Sequence, residues 1–253
     1  MTTAIVMPAW NEAGVVGEFV QELDIALTAF DPVFFVVDDH STDGTADELR
    51  SRSALRDRLT VVTNAANLGH GPSTLRALRL GLDSHADVIV AIDGDAQFSG
   101  SDVARVVSAL SSRQCDIVEG VRTERDSPLY RRFVSYSTRL LVWSRVGVRP
   151  KDANTPLRAY RPNALRQLLA TVPEDSGIPN LFISAASRRL RMSIEQVPVS
   201  SIPRAEGSES RATWGARHPR LPSRRFMAFC GSTALQWATT PLRTQHAHVT
   251  EPT

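Results

Sequence analysis

The sequence is poor in lysine, in cysteine and in long apolar runs. A single lysine, Lys151, stands among 29 basic residues. The two cysteines, Cys115 and Cys230, lie far apart and form no Cys-x-x-Cys pair. A disulfide scaffold is therefore excluded, the usual kind of zinc site is unsupported, and a reducing cytoplasm fits. No run of about 18 apolar residues occurs, which excludes a conventional spanning helix. Strand-like sequence begins at Thr3 and leaves no room for a secretory signal. With 14 glycines and 15 prolines in 253 residues, collagen-like and low-complexity classes are also out. What remains is ordinary globular composition, 42% hydrophobic and 22% charged, enough for one large domain with at most a small appendage.

The net charge of +2 hides a split. Residues 1–115 carry 8 arginines against 16 acids, whereas residues 116–253 carry 21 bases against 11 acids. Opposite signs point to different partners, because clustered acids suit a metal cation and arginines suit phosphates. The arginine total alone carries nothing, since genomic base composition can replace lysine throughout, and no nucleic-acid partner is expected.

Apolar spacing lays out the first half. Strands are expected at Ala4–Pro8, Val33–Val37, Leu59–Val62, Val88–Ile92 and Asp116–Gly120. Between them, helices are expected at Asn11–Phe30, Ser41–Arg52, Gly71–Leu82 and Ser101–Leu110. This alternation predicts an α/β fold with a mostly parallel central sheet and helices on both faces. The second half is less regular. Helices are expected at Leu129–Val146, Asn163–Leu169, Leu181–Leu190 and Phe226–Thr240, with strands at Thr155–Tyr160 and Ser193–Val199. Residues 203–225 read as a loop and 244–253 as a loose tail. The expected organisation is one α/β domain over 1–203, with a regular first half (1–120) and a less regular second half (121–203). A basic loop and terminal helix over 204–243 follow.

Ligands of open α/β sheets bind beyond the carboxyl ends of the strands. Pro8-Ala-Trp-Asn-Glu12, Asp38-Asp39, Asp93-Gly-Asp95 and Gly120-Val-Arg122 all fall there. Two carboxylates separated by one glycine can reach a single hard cation and its waters. Such a cation, Mg2+ or Mn2+, would neutralise charge on a departing diphosphate. The bland reading of Asp93-Gly94-Asp95 is a polar turn. Gly69-His-Gly71 lacks the further glycine of a dinucleotide loop and reads as a tight turn lining the pocket, with His70 given no role. Arg158 and Arg161 read equally as structural ion pairs or as ligands, and the cysteines as small buried residues.

Val6-Met-Pro-Ala-Trp-Asn-Glu12, Val36-Val-Asp-Asp-His-Ser-Thr-Asp-Gly-Thr45, Asn67-Leu-Gly-His-Gly71 and Ile92-Asp-Gly-Asp-Ala-Gln97 together resemble family 2 glycosyltransferases of the GT-A fold. Arg131-Arg-Phe-Val-Ser135, Asp152-Ala-Asn-Thr-Pro-Leu-Arg-Ala-Tyr-Arg161 and Val197-Pro-Val199 with Arg204 narrow the resemblance to the dolichol- or polyprenyl-phosphate mannosyltransferase branch. The resemblance implies a base and ribose pocket at Pro8, Trp10, Glu12, Val37 and Asp39. It implies a metal and diphosphate motif at Asp93, Gly94, Asp95 and Gln97, and donor-gripping arginines at Arg122, Arg204 and Arg211. Arg131 and Ser135 fall in the region offered to an acceptor phosphate. Trp10 stands where relatives often carry tyrosine. The Arg204–Arg211 segment has one residue more than the family pattern and ends in arginine where the family has lysine.

A phosphate acceptor is already anionic and needs no protein base, only positioning and charge neutralisation. The expected activity is inverting transfer of a hexose, mannose-like, from a nucleotide-diphosphate sugar to a polyprenyl phosphate. A hydroxyl acceptor would instead need a base, and Asp152 is the candidate. A non-catalytic nucleotide-sugar binder is a third reading. Six arginines at 204–225 precede an apolar stretch that suits either a membrane surface or packing on the sheet. Peripheral placement on the cytoplasmic membrane face is expected, and tighter anchoring calls for a partner protein.

Overall fold

The computed structural model describes residues 1–52, 55, 57–123, 129–200 and 224–242, with the backbone alone at 129–134 and 224–230. Among these residues seven strands form one sheet in the order β3-β2-β1-β4-β6-β5-β7. The strands are β1 (Thr3–Ala9), β2 (Pro32–Asp38), β3 (Leu59–Thr63), β4 (Val88–Ala91), β5 (Ile117–Arg122), β6 (Arg158–Tyr160) and β7 (Ile194–Val199). All neighbouring pairs are parallel except those of β6, which runs antiparallel to β4 and β5. The central strands are apolar on both faces because helices cover both. One core joins α1 (Val16–Ala26), α2 (Thr45–Ser51) and α4 (Gly100–Ser112) to the sheet through Phe19, Leu23, Leu49 and Val106. The other joins α3 (His70–Asp83), α5 (Leu129–Val146), α6 (Pro162–Thr171), α7 (Pro179–Arg189) and α8 (Arg224–Thr239) through Leu78, Val142, Leu168, Phe182 and Trp237.

Element types match the sequence reading, and the bounds of α1 and β6 differ for physical reasons. Helix α1 begins at Val16, not Asn11. Asn11 is left-handed (φ 54°), and the N–H groups of residues 11–14 bond to side chains of the segment before and within α2. The helix also ends at Ala26, and a separate 3-10 turn covers Thr28–Phe30. Only Arg158–Tyr160 of the Thr155–Tyr160 segment is strand. The preceding residues stay outside the sheet and fold against β5, where Thr155 Oγ1 donates to the Gly120 carbonyl at 2.6 Å.

Strand order reverses between β1 and β4, which makes that gap the switch point of the sheet. Pro8 suits its place there. The β1–β4 ladder ends at Val6 and Ala91, so the donor that Pro8 lacks falls where β4 has already left the sheet.

Candidate active site

The crevice is built from loops that bond to one another through side chains. The Asn11 N–H donates to Ser41 Oγ at 2.9 Å, and Asn11 Oδ1 accepts from the Thr42 N–H at 2.9 Å. The Glu12 N–H donates to Thr45 Oγ1 at 3.0 Å, and that hydroxyl donates onward to Asp43 Oδ1 at 2.5 Å. Burial disfavours the Asp43 charge, but the bonds from Thr45 and the Ala13 N–H outweigh it and hold its pKa below the usual carboxylate value. The Ser-Thr-Asp-Gly-Thr run is thus the scaffold of the β1–α1 loop. It leaves Trp10 43% exposed at the mouth, with Glu12 buried behind it.

Asp39 performs a similar task for the next loop. It is 2% exposed, and its two oxygens accept from Asn64 Nδ2, the Leu68 N–H and the Gly69 N–H, each at 2.8 Å. Asn64 also donates to Ser73 Oγ at 2.8 Å, which fixes the loop to α3. The sequence assigns Asp39 to the nucleotide pocket, and its carboxylate ties together the loop that walls the pocket. Val37 is fully buried in the sheet and shapes that wall from beneath. Gly71 closes the far side. A Cβ there would come within 2.1 Å of the Ser176 carbonyl oxygen, so α3 meets the 176–177 turn at a distance only glycine permits.

The acidic turn lies against β1. The Gly94 N–H donates to the Pro8 carbonyl at 3.3 Å, and a Cβ on Gly94 would meet that oxygen at 3.1 Å. This puts Asp93 and Asp95 beside the Trp10–Glu12 loop. Asp95 is 4% exposed and accepts from the Gln97 N–H at 3.4 Å, while Asp93 faces the opening. His70 Nε2 stands 3.5 Å from Asp93 Oδ1, a neighbour that sequence reading left without a role. Only the packing of α3 against the turn shows it.

Arg122, at the end of β5, completes the group. Its Nε and one terminal nitrogen donate to the two oxygens of Asp152 at 2.8 and 3.1 Å. Burial disfavours the Arg122 charge, yet Asp152, with Asp93 and Asp95 beyond it, raises its pKa above the ordinary value. Asp152 is 3% exposed and lies in this fork, where it orients a guanidinium.

The donor set fits a divalent cation. Among the described residues no three His, Cys, Asp or Glu side chains gather into a protein cage. Two carboxylates on one turn, one buried and one open, suit a hard ion that takes its remaining oxygens from a diphosphate and water.

Other expected residues divide. Ser135 lies on α5, its side chain half-buried. The side chain of Arg131, and Arg204 and Arg211 entirely, lie outside the described residues, as does the 204–223 loop. Arg158 resolves as structural. It is fully buried, 3.5 Å from Glu119 Oε1, and donates to the Ala153 carbonyl and to Asn180. Arg161 donates to the Leu110 carbonyl at 2.8 Å. Cys115 is buried, as expected, and burial raises its pKa.

A sequence model of glycosyl transferase family 2 matches residues 4–172. The chain belongs to this family. An undecaprenyl-phosphate 4-deoxy-4-formamido-L-arabinose transferase of Pseudomonas aeruginosa is 30% identical over 181 residues, covering 70% of this chain and 52% of that protein. The chain thus spans about half the length of the Pseudomonas relatives it matches. An undecaprenyl-phosphate mannosyltransferase of Micrococcus luteus is 27% identical over 221 residues, covering 85% of this chain and 89% of that protein. Solved structures share the GT-A fold. A Pyrobaculum calidifontis mannosyltransferase in complex with GDP-Man and Mn2+ superposes with a TM-score of 0.58 at 22% identity, over 83% of this chain and 59% of that one. A glucosyl-3-phosphoglycerate synthase of Mycobacterium tuberculosis superposes at 0.62 and 19% identity, over 94% and 76%.

Proposed function

We propose that this family 2 glycosyltransferase moves a hexose from a nucleoside-diphosphate sugar to a polyprenyl phosphate, with inversion at the anomeric carbon. One observation carries the reading: Arg122, locked by Asp152, shares the β1–β4 crevice with the acids of Asp93-Gly94-Asp95. The names of the Pseudomonas and Micrococcus relatives support a polyprenyl-phosphate acceptor.

Trp10 and Glu12 would take the base and ribose against the wall that Asp39 shapes. Asp93 and Asp95 would hold Mg2+ or Mn2+, which when bound offsets charge on the leaving diphosphate. Arg122 would face that same charge, already oriented and partly desolvated, so little reorganisation accompanies the reaction. Ser135, with Arg131, would hold the acceptor phosphate so that one of its oxygens meets the anomeric carbon in line. The new C–O bond forms as the bond to the diphosphate breaks, and the diphosphate keeps the electron pair. No proton has to leave the nucleophile, so no base is needed. That agrees with Asp152 being engaged by Arg122, and it counts against transfer to a hydroxyl with Asp152 as base.

The test is transfer of radiolabel from nucleotide sugars, GDP-mannose first, to undecaprenyl phosphate with Mn2+. Label in the organic phase is expected. No transfer from any common donor, or transfer to a saccharide hydroxyl instead, overturns the proposal. The lipid-phosphate acceptors in the relatives' names support work at a membrane surface; no helix among the described residues is long and apolar enough to cross a membrane.

A further inference from the structure

Glu119 is outnumbered by the arginines around it. Its carboxylate lies 3.5 Å from Arg158 Nε and 2.9 Å from Arg188, and 1%, 0% and 8% of the three side chains are exposed. Gln196, which also donates to it at 3.3 Å, is neutral. Two buried guanidiniums thus share one carboxylate, and one positive charge is left over with almost no water to screen it. Such a charge is costly unless an anion meets it. Arg158 is tied to the Ala153 carbonyl and to Asn180, yet its Nε has no hydrogen-bond partner among the described residues. Arg188 is the member of the trio that reaches open space.

It does so in an open cavity of about 440 Å³ between the turns that follow α5 and α7. Arg149, Lys151 and Arg191 line the same cavity and are exposed, and no acid stands among the lining residues. Arg191 holds its place against the preference of its backbone. It follows α7 in left-handed form (φ 54°), with its N–H donating to the Arg188 carbonyl and the Met192 N–H to the Ser187 carbonyl. A helix-ending turn of this kind favours glycine at the left-handed position, and a side chain there is strained. Helix carbonyl ends draw bases within the last turn. Arg149, Lys151 and Arg191 all lie beyond the ends of their helices.

We propose that this cavity is a second ligand site, separate from the donor crevice, for a small soluble phosphorylated anion of two or more charges. Guanidinium forks match phosphate oxygens in pairs, and several bases around one cavity suit a ligand that carries more than one charge. The volume lies in the range of small-molecule sites. Arg188 would meet the ligand while keeping Glu119, so the surplus charge is balanced, and Arg149, Lys151 and Arg191 would hold it from the rim. Ile194 and Gln196 place the site at the starting half of β7, which runs parallel to β5, whereas the donor crevice lies beyond the carboxyl ends of the strands. Lys151 directly precedes Asp152, so a ligand here adjoins the loop that locks Arg122.

The test is calorimetric titration of inorganic pyrophosphate into the full chain, with chelator present so that no cation bridges the anion to Asp93 and Asp95. Saturable binding is expected. Arg191→Gly should weaken it roughly tenfold, the worth of one charge-assisted contact, and Arg191→Gly/Lys151→Gln should bring it below detection. Glycine suits the left-handed backbone at 191, so the first variant should fold at least as well as the wild type. In the wild type, pyrophosphate should slow amide exchange over 148–152 and 190–196 and leave 93–97 unchanged, a reading that does not depend on how the variants fold. No binding, equal binding by the folded variants, protection at 93–97 instead, or binding to phosphatidylglycerol vesicles with none to the free anion overturns the proposal. No sugar donor or acceptor enters these measurements, so failure of the proposed transfer reaction leaves the anion site standing, and the reverse holds too.

Discussion

Replacing Asp152 with asparagine separates two chemistries that otherwise look alike. The structure pairs its carboxylate with Arg122 through two hydrogen bonds, in a setting where Asp152 is 3% and Arg122 25% exposed at the side chain. Removing one partner of a fully buried pair costs about 3–5 kcal/mol. Arg122 keeps a quarter of its water contact and the field of Asp93 and Asp95, and an asparagine oxygen can retain one of the two bonds. A loss of about 2 kcal/mol in unfolding free energy is therefore expected by denaturant titration. Arg122 would remain in the crevice but poorly held. Losing a fixed donor to developing charge costs roughly 100- to 1,000-fold, so loosening one should lower kcat/KM roughly 10- to 100-fold. Steady-state transfer to a soluble prenyl phosphate, followed across pH, reads this. The acid limb of the profile should be the same in wild type and variant. If turnover instead vanishes with nucleotide affinity unchanged, or if the acid limb disappears with Asp152, the carboxylate acts as a base and the reasoning is wrong.

Further outcomes follow from the same geometry. Asp39→Asn turns an acceptor of three N–H groups partly into a donor; a loss of about 1–3 kcal/mol in stability and weaker nucleotide binding are expected by thermal shift with and without nucleotide. Gly71→Ala forces a methyl against the Ser176 carbonyl, and overpacking of about 1–3 kcal/mol should appear in chemical denaturation, whereas unchanged stability would show that the 176–177 turn yields freely. Burial works against the Glu119 charge, but Arg158 and Arg188 hold its folded pKa below the usual glutamate value. Its ionic contribution is thus complete above the unfolded pKa and is lost as pH falls through the folded one. Relative to Glu119→Gln, the wild type should lose stability more steeply in that acidic window, and parallel curves would refute the pairing.

Strand ends carry the most legible part of this fold. Apolar runs such as Val33–Val37 and Val88–Ile92 break into acids because a buried parallel strand must end where polar groups can be satisfied, so the crevice could be placed from sequence. The antiparallel insertion of β6 is not visible in a three-residue strand, since pairing direction is set by which neighbours it meets. The start of α1 was misplaced because the side chains that hold residues 11–14 lie about 30 positions onward. Asp39 and Asp152 show the limit of motif reading. Both bear acids at functional loops, yet one bonds a loop and the other bonds an arginine. Spacing shows that an acid stands at a strand end, and the hydrogen-bond partners show what that acid holds in place.

Calorimetric titration of GDP and UDP, each with Mn2+, into wild type and Asp95→Asn reaches the core of the mechanism without requiring an acceptor. One nucleotide should bind the wild type with Mn2+ and at least tenfold more weakly with chelator or in the folded variant. Equal affinity with and without the metal, or an Asp95→Asn protein that binds as well as wild type, would contradict a cation-bridged diphosphate in the β1–β4 crevice.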